Sequence, residues 1–135
     1  MAGYSKTATW KKLGIKEGMQ VIHIHAPENY SRLLGKLPQG ASLEENLRKN
    51  ASFIHYFARD KNGLSNDFAK LKEALLPAGA LWISWPKGAS KVPTDLNENI
   101  IRDIGLRGGL VDVRVAAVDE IWSGLKFVFR IKDRK

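Results

Sequence analysis

The chain has no cysteine in 135 residues, which excludes disulfide frameworks, thiolate metal sites and thiol nucleophiles. No apolar run approaches membrane-spanning length, and the start, MAGYSKTATWKKLG, has no apolar signal core. A cytoplasmic protein with no membrane partner is therefore expected. G-x-S-x-G, phosphate-loop and H-E-x-x-H patterns are also missing, and Ser84 and Ser90 have no evident base. Acidic residues are scarce: 14 Asp and Glu stand against 22 Lys and Arg, a net charge of +8 at pH 7. That imbalance favours anionic partners. The cations are scattered, however. Even the densest group, Lys126, Arg130, Lys132, Arg134 and Lys135, is interrupted by Asp133. A solvated surface is thus preferred over a nucleic-acid interface.

What is present reads as one α/β domain spanning 1–135. Its centre is Gly79–Leu96: a buried strand, Ala80–Trp85, a loop with Pro86, Gly88 and Pro93, and a helix starting near Thr94 or Asp95. Before it come a short helix, Ser5–Leu13, with Ser5 as cap, and a strand, Met19–Ala26. A short helix, Asn29–Leu34, follows and ends at Gly35. The segment 41–49 is open between a short strand and a helical turn. Ser52–Ala58 reads as a strand. Leu64–Leu76 has helical spacing at 64, 68, 71 and 75, with Pro77 and Gly79 to end it. After the centre, Asp95–Leu106 is a helix with Asp95-x-x-Glu98 resembling a capping box. Strands Leu110–Val118 and Leu125–Ile131 then form a hairpin through Asp119–Gly124.

The strands around Val21–Ile24, Phe53–Phe57 and Ala80–Ile83 are apolar without clean alternation, as parallel strands covered on both faces are. The last two alternate, as Val111, Val113 and Val115 do against Asp112 and Arg114. That pattern suits an antiparallel pair at the edge. The expected build is a three-layer, doubly wound, mostly parallel Rossmann-like sheet with a C-terminal antiparallel hairpin.

This order resembles the fold of S-adenosylmethionine-dependent methyltransferases, and LKEALLPAGALWIS resembles the stretch by which those enzymes enter their fifth strand. A closer resemblance is to the uncharacterised bacterial Domain of Unknown Function family 3052. It rests on Gly3-Tyr4 with KKLGIKEGM, Ala26-Pro27 with Tyr30, ALWISWPK with VPTDL, and GLVDVRV with AVDEIWSGLKFV. The family carries no established activity, so it implies a fold more than a function. The methyltransferase fold normally binds its cofactor at a glycine-rich turn after the first strand. Here that turn is His25-Ala26-Pro27-Glu28-Asn29-Tyr30, with no glycine, and Pro27 lacks a backbone donor. Glu44 or Glu45 could meet ribose hydroxyls.

In such a sheet the crevice lies at the carboxyl ends of the parallel strands. That edge would gather Pro27, Tyr30, Trp85, Lys87, Ser90, Thr94, Asp95, Asp119, Glu120, Trp122 and Ser123. Lys87 beside a helix start suits an anion. The bland alternative has Lys87 paired with Asp119 or Glu120, Asp95 as a simple cap, and both tryptophans as packing. His23 and His25, two apart in a strand, would share a face, with His55 on the neighbouring strand. No spacing motif supports a metal there, and none is expected.

These features predict a protein binding a small anionic ligand or a protein segment, without S-adenosylmethionine or another cofactor. The competing readings are a methyltransferase with an altered cofactor loop and a basic nucleic-acid-binding protein. Whether it is an enzyme is left open, and a homodimer through the terminal hairpin is a further expectation, because edge strands can pair.

Overall fold

The computed structural model of the chain describes residues 7–134. In chain order its elements are α1 (Thr9–Lys12), β1 (Gln20–Ile24), α2 (Tyr30–Leu34), β2 (Ser42–Glu44), β3 (Ala51–Phe57), α3 (Lys61–Ala74), β4 (Leu75–Pro86), α4 (Glu98–Arg107), β5 (Leu110–Ala117) and β6 (Trp122–Phe129). One sheet runs in the order β2-β1-β3-β4-β6-β5. The first four strands are parallel, and β6 is antiparallel to both β4 and β5. The expected fold class therefore stands. Among the described residues no helix is long and apolar enough to cross a membrane.

The unbroken apolar runs are explained by burial on two faces. Phe53, Phe57 and Trp82 pack with Val21, Tyr30 and Leu34 on the α1–α2 side. Ile54, Tyr56, Leu81 and Ile83 pack with Leu64, Leu71 and Ile101 on the α3–α4 side. Adjacent residues point to opposite faces, so both layers draw on the same strands.

Element boundaries differ from expectation where local hydrogen bonds decide them. The Ser5 cap lies outside the described residues, and α1 starts after Ala8. Segment 41–49 contributes a strand, pairing Ser42–Glu44 with Gln20–Ile22. Helix α3 begins three residues early, because the Asp60 carboxylate accepts from Gly63 N at 2.6 Å. Its end is set by Leu75, which is already extended and pairs with Ala51. Pro77 and Gly79 therefore belong to β4, inside a register shift where a missing donor is tolerated. A Cβ on Gly79 would lie 2.9 Å from Ala51 O, so glycine fits this close approach.

The capping box is not formed. Asn97 caps α4, its side-chain oxygen accepting from Ile100 N at 2.9 Å. Asp95 instead accepts from Lys61 N at 2.8 Å and so caps α3 from across the sheet edge. Glu98 pairs with Arg102, which also binds Asp112 of β5. In the hairpin, β6 begins at Trp122 and not Leu125, which shortens the turn to 118–121. A register shift between Asp112 and Arg114 breaks the alternation of β5 and leaves Val113 and Val115 exposed at the sheet edge.

Candidate functional site

Because β1–β4 and β5 run the same way, their carboxyl ends share one edge. The β5–β6 turn lies there too, and the Lys87 loop touches it: Lys87 N donates to Ile121 O at 2.8 Å. Arg59, just past β3, ties the edge together. Its guanidinium donates to His25 O at 3.0 Å and lies 5.2 Å from the Trp122 ring centroid, while its carbonyl accepts from Thr94 Oγ1 at 2.7 Å. Sequence reasoning missed Arg59. The signal was available, since the rule that selected Lys87 after β4 selects Arg59 after β3.

The edge holds two clefts. The first, of about 900 Å³, lies over the ends of β1 and β2 and is lined by His23, His25, Pro27, Tyr30, Glu44 and Glu45, among others. The second, of about 500 Å³, lies between α1, α2 and the hairpin turn; Lys12, Asn29, Arg32, Lys87, Asp119 and Glu120 line it. Thus Pro27 and Tyr30 fall in one cleft, and Lys87, Asp119 and Glu120 in the other. A third hollow of about 860 Å³ runs between α3 and α4 over Phe68, Ile104 and Phe129, away from the strand ends.

Trp85, Ser90, Thr94, Asp95, Trp122 and Ser123 line neither cleft. Trp85 and Trp122 are buried, and Trp122 packs edge-on against Phe57. Ser123 pairs with Trp85 in the sheet. The Ser90 hydroxyl donates to Lys87 O and accepts from Val92 N, holding the loop. Thr94 and Asp95 brace the start of α3 as described. Asp119 accepts from Ile121 N and Trp122 N, both at 2.8 Å, and so shapes its own turn. Lys87 forms no ion pair with Asp119 or Glu120.

The first cleft sits on a chain of polar groups. Tyr30 Oη and His55 Nδ1 are 2.8 Å apart, and His55 Nε2 and Ser84 Oγ are 2.7 Å apart. A neutral imidazole donates at one nitrogen and accepts at the other, so it satisfies both hydroxyls. Burial drives His55 down to about 3 and raises the Tyr30 hydroxyl, so both are neutral at pH 7. This buried trio resembles a nucleophile–base pair, but Ser84 and His55 are both fully buried and cannot meet substrate.

His23 and His25 do not share a face. His23 packs on Tyr30 with ring centroids 4.9 Å apart, while His25 turns to Tyr56 at 5.3 Å, on the other side of the sheet. The cause is the backbone: His25 has φ 59° and leaves the strand in the left-handed region. Burial lowers the His23 pKa. Among the described residues no three His, Cys, Asp or Glu side chains gather as a metal site.

At the end of β2, Glu44 accepts from Asn46 N and pairs with Arg48 at 2.9 Å. The Asn46 amide, helped by Arg48, holds its carboxyl below the usual range. Glu45, exposed beside it, makes no side-chain hydrogen bond or ion pair among the described residues, though its charge acts on His23 against the effect of burial.

No protein-family model and no curated protein matches the chain. Solved structures do. A SAM-dependent methyltransferase from Aquifex aeolicus aligns over 87% of this chain and 85% of its own, with TM-score 0.59 and 17% identity. A TehB-like SAM-dependent methyltransferase from Corynebacterium glutamicum aligns over 96% and 91%, with TM-score 0.58 and 13% identity. Magnesium protoporphyrin IX methyltransferase from Synechocystis, solved with bound SAH, aligns over 84% and 75%, with TM-score 0.53 and 11% identity. The fold is that of S-adenosylmethionine-dependent methyltransferases. At these identities the likeness is one of fold. Within that methyltransferase fold, the departure at the turn after β1 is smaller than its sequence implies. The turn has no glycine, yet His25 takes the left-handed conformation that glycine adopts most readily.

Proposed function

We propose that the chain binds S-adenosylmethionine, or a close adenosyl relative, in the cleft over β1 and β2, and acts as a methyltransferase with a histidine-bearing turn. One observation carries the reading: carboxylates at the end of β2 and a left-handed turn at the end of β1 line the same cleft. Glu45 has both oxygens free to accept ribose hydroxyls, and Glu44 stands next to it. About 900 Å³ is ample for such a ligand. The lining is acidic, with Glu28, Glu44 and Glu45, which suits a cationic sulfonium or ammonium better than an anion. When bound, the cofactor would supply an electrophilic methyl group. Arg59 would hold the His25 turn in shape, and Tyr30, kept neutral, would offer a packed floor. Pro27 still offers no backbone donor, so more of the binding falls to side chains. The likeness to Domain of Unknown Function family 3052 belongs to this proposal and rests on the four segments quoted above.

Isothermal titration with S-adenosylhomocysteine tests the reading. Binding to the wild type, weakened roughly 10- to 100-fold by Glu45→Gln through loss of a charged hydrogen bond, is expected. No heat and no change in melting temperature at millimolar ligand would overturn it.

A further inference from the structure

We propose that the second cleft, between α1, α2 and the β5–β6 turn, binds the carboxylate or phosphate group of a small molecule. The three elements that wall it each bring one cation: Lys12 from α1, Arg32 from α2 and Lys87 from the loop after β4. The Arg32 and Lys87 side chains have no hydrogen-bond or ion-pair partner among the described residues. Lys12 donates to Ala117 O at 2.9 Å, which fixes its ammonium at the cleft wall with two N–H groups left over. Arginine and lysine converging from separate elements form a fork and a point charge, the pair that holds an oxyanion most effectively.

The opposing charge is weaker than its count suggests. Two carboxylates line the cleft, but Asp119 accepts two N–H groups of its own turn through one oxygen. Glu120 is exposed and free to swing into water. Asn29 adds a donor: it occupies the cap position of α2, yet its side chain makes no capping hydrogen bond. The volume, about 500 Å³, fits a metabolite and not a polymer. Helix α2 divides the two clefts, sending Asn29 and Arg32 to this one and Tyr30 and Ser31 to the other. Anion binding here requires nothing of the cofactor cleft, so either reading can fail alone.

The test is titration of the full chain at low ionic strength with pyrophosphate and with citrate, by calorimetry and amide NMR. At least one anion is expected to bind, moving amides of Asn29–Arg32 and Ala117–Glu120; the stronger of the two identifies phosphate or carboxylate as the group selected. Arg32→Gln and Lys87→Gln should each weaken binding at least tenfold, and Glu120→Gln should tighten it several-fold, a gain that misfolding cannot produce. Lys49→Gln, at a lysine lying 3.7 Å from Glu73 and outside this cleft, should change nothing. Binding by neither anion, equal affinity in all variants, or shifts spread over the whole basic surface would overturn the proposal.

Discussion

Under α1 and α2 the sheet carries rings and hydrogen bonds; under α3 and α4 it carries mostly aliphatic side chains. On the first face His23, Tyr30, His55, Phe57 and Trp122 form a connected series of ring contacts, with centroids 4.2 to 5.4 Å apart. On the second, Ile54, Leu64, Leu71, Ile83 and Ile101 fill the centre, and the rings there, Tyr56, Phe68, Trp85, Phe127 and Phe129, are interspersed among aliphatic side chains. The difference follows the clefts. Both clefts at the strand ends open beside the polar, aromatic face, whose members are fixed by directional contacts. The aliphatic face holds mainly by burial, which is strong but not directional, with the Tyr56–Asp67 hydrogen bond and the edge-on Phe68–Phe127 contact as its directional exceptions.

Acid is expected to separate the faces most. His55 has a folded pKa of about 3 against an ordinary 6.5, so below pH 6.5 the unfolded chain binds a proton that the folded one excludes. Stability contributed by neutral His55 is complete above pH 6.5 and is lost as pH falls toward 3, at about 1.4 kcal/mol per pH unit. His23, also lowered, acts in the same direction. Denaturant unfolding between pH 7 and 4 should show this slope in the wild type and a flatter one in His55→Gln.

Next in size is His55→Leu, which strands the Tyr30 and Ser84 hydroxyls and should cost about 2–4 kcal/mol. Adding Ser84→Ala should recover about 1 kcal/mol, because one stranded group is removed. Recovery of this kind has no counterpart on the aliphatic face. There the informative change is Gly105→Ala, whose Cβ would lie 2.0 Å from the Phe127 ring. Buried Phe127 cannot swing aside, so overpacking of about 1–3 kcal/mol is expected in urea melts. Asn97→Ala, which removes the cap of α4 on that side, should cost about 1 kcal/mol. No loss from Asn97→Ala would contradict the assignment of Asn97 as the cap.

How much of this was legible in sequence follows the same division. The strands of the core announced themselves by apolar runs covered on both faces, and the hairpin by its alternation. The order of the edge residues followed from strand direction, which is why the Lys87 loop and the Trp122 turn were rightly placed side by side. Local hydrogen bonds were not legible. Asp95 and Asn97 are both good cap residues, and only the tertiary contact with Lys61 assigns Asp95 to α3. Pro77 and Gly79 looked like terminators because a register shift inside β4 leaves no trace in composition. The left-handed backbone at His25 was hidden for the same reason: histidine gives no signal of φ. The single rim expected from sequence became two clefts because α2, at five residues, is long enough to stand between them.

The central claim is that the cleft over β1 and β2 is the adenosyl site of this methyltransferase fold. Amide NMR of the wild type titrated with S-adenosylhomocysteine tests it most directly. The account predicts saturable shifts concentrated at His23–Glu28 and Leu43–Asn46, with Arg32 and Ala117–Glu120 responding to pyrophosphate or citrate instead. Saturable shifts centred on the α3–α4 hollow, around Phe68 and Ile104, would contradict it.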